Sequence, residues 1–82
     1  MKITVEMSLY PLATEYLPII EKTVARLNAE SDVTVVTNAM STQISGDFEK
    51  VTALINREVK ATFESTGKAV FVCKYLNGEL NL

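Results

Sequence analysis

A chain of 82 residues with a formal net charge of −2 is sized for one domain, and 48% hydrophobic against 22% charged residues reads as globular rather than disordered. The mild acidity and the lack of a Lys/Arg cluster argue against a nucleic-acid surface, and the longest apolar run falls far short of the ~20 residues a membrane span needs. With no histidine, imidazole-based metal sites and acid/base chemistry are excluded, and one cysteine cannot close an internal disulfide, which makes a reducing cytoplasm the expected compartment.

From Lys2 to Leu9 the chain alternates, with Ile3, Val5, Met7 and Leu9 on one side and Lys2, Thr4, Glu6 and Ser8 on the other. A period of two predicts a strand with one apolar face. Tyr10-Pro11-Leu12 ends it, because proline has no amide for a ladder. Thr14 is the expected cap of a first helix, with Pro18 tolerated in its first turn. Leu17, Ile20, Val24 and Leu27 then form one apolar stripe, and the helix is expected to run to about Ala29.

A second strand is predicted over about Asp32–Met40, where the run Val33-Thr34-Val35-Val36-Thr37 is β-branched throughout. Ser41–Ser45 is expected to pair with it as a hairpin, and Gly46-Asp47 to form a turn and a helix cap. Phe48, Val51, Ile55, Val59 and Phe63 mark a second helix that stops near Gly67. Lys68–Leu76 is the last strand, and the tail from Asn77 to Leu82 is either a loose end or a small edge strand.

The order β-α-β-β-α-β predicts an α+β, ferredoxin-like sandwich spanning residues 1–82 as a single domain, a four-stranded antiparallel sheet with two helices on one face. The other face has no covering element. Its mixture of polar and apolar residues predicts contact with another sheet or a ligand, and the sheet edges favour self-association.

Asn38 to Asp47 is the most informative stretch. It packs three hydroxyls, two amides, a thioether, a glycine and a carboxylate into one connection. That set suits the holding of a small polar heteroaromatic molecule. Asp47 has two compatible readings, as a helix cap and as an acceptor for a ligand amino group or cation. Glu6, an acid in a strand expected to be central, is either solvated on the open face or an acceptor for a cationic or amino-bearing ligand. Tyr10 and Phe48 could supply flat walls, although Phe48 also starts the core stripe of its helix. Met40 is a flexible wall residue. Cys73, mid-strand without a base to activate it, reads as a small hydrophobe. No catalytic pair and no metal set stands out, so no enzyme and no cofactor is expected.

Ser8-Leu9-Tyr10-Pro11-Leu12, Met40-Ser41-Thr42 and Gly46-Asp47, at this spacing in one βαββαβ chain, resemble the YkoF-type thiamine/hydroxymethylpyrimidine-binding family and the related single-domain thiamine-binding proteins. The resemblance implies a non-enzymatic binder of thiamine or its hydroxymethylpyrimidine moiety, linked to uptake or salvage. It also implies units assembled through their sheets, here a homodimer or homotetramer through sheet faces or edges, with no membrane insertion. Carried onto this chain, it makes Tyr10 a wall, Ser41 and Thr42 hydroxyl partners and Asp47, beside Gly46, the amino acceptor. Glu6, Asn38 and Met40 complete the expected ligand-binding set. The alternative is a ferredoxin-like interaction or regulatory module that oligomerises through its sheet without a vitamin ligand.

Overall fold

A computed structural model of the chain describes every residue except Ala13. The elements run β1 (Lys2–Pro11), α1 (Leu17–Asn28), β2 (Thr34–Thr37), β3 (Thr42–Asp47), α2 (Phe48–Thr66) and β4 (Ala69–Leu76). The four strands form one antiparallel sheet in the order β2-β3-β1-β4, so the first strand is central, as the sequence predicts.

Register explains the core. On the helix-covered face Val35, Ile44, Val5 and Tyr75 stand in one row across the sheet, and Thr37, Thr42, Met7 and Cys73 in the next. Val5 and Ile44 are fully buried, and Val51, Leu54 and Ile55 of α2 with Leu27 of α1 close over them. The opposite face carries the alternate rows: Val36, Gln43, Glu6 and Lys74, then Thr34, Ser45, Thr4 and Leu76.

Several boundaries differ from the sequence prediction. Helix α1 starts at Leu17 rather than near Thr14, with Tyr16 as its cap residue and Pro18 still in the first turn. Strand β2 spans four residues, not nine, because the chain from Asn38 folds into a tight connection instead of continuing extended. Gly46 lies inside β3, not in a turn. It is opposite Ile3, and a Cβ there would meet Val33 Cγ1 at 3.2 Å, so the glycine lets the approach to β2 pack tightly against the strand. The buried face of α2 keeps Val51 and Ile55 of the predicted stripe, with Val59 packed against the core, but Phe48 and Phe63 are 38% and 45% exposed, whereas Glu58 and Thr62 are buried against α1.

That helix-helix contact is polar. Arg26 Nε donates to Glu58 Oε2 at 2.6 Å, Arg57 reaches the other oxygen at 3.1 Å, and the Thr23 and Thr62 hydroxyls meet at 3.3 Å. Pairing on both oxygens is what permits a carboxylate to sit at 3% exposure.

The open face is not wholly bare. Beyond β4 the tail crosses it at one end, where Thr4 Oγ1 donates to the Gly78 carbonyl at 2.8 Å and accepts from Leu80 N–H at 3.0 Å. The tail is neither a strand nor detached, and it buries Thr4 and Ser45 beneath it.

Candidate functional site

The half of β1 beyond Met7, the inner side of α1 and the β2–β3 connection converge at one end of the sandwich around a cavity of about 510 Å³. Volumes of this order accommodate drug-sized small molecules. Met7, Leu27 and Phe71 form its apolar base, and Tyr10 and Tyr16 stand at its side from either end of the β1–α1 loop. Thr37, Asn38, Ser41 and Thr42 supply its polar rim, with the Met40 thioether among them. Among the described residues none that lines the cavity carries a charge.

The polar rim is held by its own chemistry. Asn38 Oδ1 accepts from the amides of Met40 at 2.8 Å and Ser41 at 3.1 Å, and Asn38 N–H donates to the Ser41 carbonyl at 3.0 Å. This is the side-chain turn that asparagine forms readily, and it sets the shape of the connection. Ser41 in turn donates its hydroxyl to Glu6 Oε2 at 2.8 Å while accepting from Gln43 Nε2 at 2.8 Å. Its only proton is committed, so towards anything else Ser41 can only accept.

Five of the expected ligand residues therefore meet at the cavity: Tyr10, Asn38, Met40, Ser41 and Thr42. Three do not. Gly46 and Asp47 lie at the other end of β3, and Glu6 points to the open face of the sheet. Asp47 is the cap residue of α2 in position but makes no side-chain cap bond; its carboxylate is 3.4 Å from the Lys2 ammonium instead. Glu6 is an anchor for the connection, paired with Lys74 Nζ at 3.0 Å as well as with Ser41.

Lys74 first, and Ser41 second, hold the Glu6 carboxyl below its ordinary value. A lowered folded-state value means the ionised form favours the fold, so this contribution is complete at neutral pH and is lost as acid titrates the group. Thermal midpoints followed from pH 7 downward should separate wild type from Glu6→Gln at neutrality and converge on acidification. A constant offset across that range would remove the ionised Glu6 from the account. Burial pushes the Cys73 thiol up, in keeping with an unreactive side chain facing the helices.

Tyr16, Thr37 and Thr23 were not among the expected site residues. Thr37 is opposite Thr42 in the β2–β3 ladder, so the register of the predicted hairpin carries the signal that would have found it. The predicted first helix, capped by Thr14, contains Tyr16; the later start leaves Tyr16 at its cap, where it flanks the opening.

A ferredoxin-like α+β sandwich with an uncharged, aromatic-flanked cavity at one end of its sheet is the class that fold and site define. Residues 5–74 match the family model described as thiamine-binding protein, and the chain belongs to that family. Among curated proteins none matches the chain. A crystal structure of a Streptococcus pneumoniae protein superposes with a TM-score of 0.87 at 20% identity, covering 98% of this chain and 90% of that one. A Thermotoga maritima protein described as a candidate for thiamine biosynthesis or salvage gives 0.84 at 14% identity, covering 100% and 91%. A hypothetical protein from Methanocaldococcus jannascii gives 0.79 at 20%, covering 99% and 84%. At such identities these likenesses establish the fold.

Proposed function

We propose that this protein binds thiamine or its hydroxymethylpyrimidine moiety, without turning it over, in the cavity between α1, β1 and the β2–β3 connection. The observation that carries the reading is the lining itself: an apolar base, two tyrosines and a rim of hydroxyls and amides, with no charge among the described residues. An aminopyrimidine offers a flat face, an amino donor and ring-nitrogen acceptors, and a thiazolium cation gains from lying against tyrosine faces. Lysine and arginine are absent from the described lining, which favours the unphosphorylated compounds over their phosphate esters. General acid/base catalysis needs a titratable group poised near neutrality, and the lining provides only tyrosines. Family membership supports the vitamin as the ligand. A role in uptake or salvage within the cytoplasm follows from that reading.

Isothermal titration of the purified protein with thiamine and with hydroxymethylpyrimidine tests it. Micromolar or tighter binding at one site per subunit is expected, and absence of heat with both compounds would overturn the reading.

The open sheet face favours assembly as a homodimer or homotetramer. Val70, Val72 and Leu76 of β4 are each more than 40% exposed there, and the half-buried Val36 stands on the same face at the opposite edge of the sheet. Light scattering should report a multiple of the 9.1 kDa chain mass, and Val72→Lys should shift it towards the monomer. An unchanged mass for that variant would place any interface elsewhere.

A further inference from the structure

Thr37 and Thr42 form a cross-strand hydroxyl pair, 3.0 Å apart, on the helix-facing side of the sheet where the cavity begins. Asn28, in the last turn of α1, fixes the pair from behind: its Nδ2 donates to the Val24 carbonyl at 2.9 Å and to Thr37 Oγ1 at 3.1 Å. The hydrogen bonds can be counted. Each threonine hydroxyl has one proton, and the bond between them consumes one of the two. Asn28 only donates to the pair, so it absorbs no proton. Whichever threonine donates to the other, one O–H remains without a partner among the described residues.

Two further hydroxyls near this end are spoken for. Thr23 donates to the Ile19 carbonyl at 3.1 Å, and Ser41 donates to Glu6 on the far side of the sheet. Ser8, Tyr10 and Tyr16 bring further hydroxyls to the cavity; the threonine pair differs from them in being held in place, by its mutual bond and by Asn28.

We infer that the Thr37–Thr42 pair is a specificity-determining donor of the cavity, and that it recognises a ring-nitrogen acceptor on a planar heteroaromatic ligand. The inference rests on the proposed ligand class and adds which atoms read it. Its signature is redundancy. Replacing either threonine by valine abolishes the mutual bond but leaves the other hydroxyl with a free proton. Replacing both removes the donor.

The test is titration of hydroxymethylpyrimidine, and of the two pyridine analogues each lacking one ring nitrogen, into wild type, Thr37→Val, Thr42→Val, both valines together, and both serines together. Each single valine variant is expected to lose less than about threefold in affinity, and the double variant about tenfold, the loss of one net hydrogen bond. The double serine variant should bind as wild type does. One pyridine analogue should bind wild type about tenfold more weakly than the pyrimidine, and the double valine variant should not discriminate between those two rings.

Undiminished binding by the double valine variant would overturn the assignment, as would single variants that each lose as much as the double. If that variant does not fold, as judged by circular dichroism, the analogues decide on wild type alone. Equal affinity for all three rings overturns the inference, and discrimination against one supports it. Absence of binding by wild type would overturn the functional reading and this inference together, whereas wild-type binding without the valine pattern sinks only the latter.

Discussion

Replacing Ile44 by alanine is expected to destabilise the fold by about 2–5 kcal/mol, the usual cost of cutting a buried isoleucine down to a methyl group. Ile44 is fully buried, stands between Val5 and Val35 in the row at the centre of the sheet, and is covered by the helices. A domain of this size commonly has only about 5–15 kcal/mol of net stability, so the variant would lose a large part of it. Urea unfolding should show a lower midpoint at unchanged slope. Met40→Ala is the matched control, since that side chain is 84% exposed and its loss should cost under about 0.5 kcal/mol. A cost below about 1 kcal/mol for Ile44→Ala would contradict the packing described above.

Removing both tyrosines at the cavity should be the largest single blow to ligand affinity. Tyr10 and Tyr16 are each at least half exposed, so they contribute little to the core and their loss should spare the fold. An aromatic wall stacked on a ligand ring or facing a cation contributes about 0.5–2 kcal/mol. The Tyr10→Ala/Tyr16→Ala double variant is therefore expected to bind thiamine about 10–100-fold more weakly at an almost unchanged thermal midpoint. Asp47→Ala, altered at the far end of β3, should bind as wild type does. The reverse pattern, with affinity surviving the tyrosine changes and lost with Asp47, would move the site to the other end of the sheet.

The contrast between these two positions shows why a contiguous polar segment was only half informative. Asn38–Asp47 reads as one cluster along the chain, and Asn38, Met40, Ser41 and Thr42 do come together at the cavity. Between Thr42 and Asp47 the chain is an extended strand, and five steps at ~3.3 Å carry Asp47 about 17 Å away. The polarity of Gly46 and Asp47 answers to other neighbours, Val33 in one case and Lys2 in the other. Glu6 was legible as an anomaly in a central strand but not as a brace, because its partners Ser41 and Lys74 are 35 and 68 positions away in the chain.

Local periodicity is what can be read along the chain. The alternation of Ile3, Val5, Met7 and Leu9 set the first strand, the stripe from Leu17 to Leu27 set the first helix, and the order of six elements set the fold, because a side chain's face follows directly from its spacing to its neighbours. Tertiary structure alone decided which hydroxyls share a wall, which protons are already taken, and that Glu58 and Thr62, not Phe63, lie between the helices. Those outcomes depend on register and on distances between residues remote in sequence, and a hydrogen bond is settled by tenths of an ångström that no spacing along the chain records.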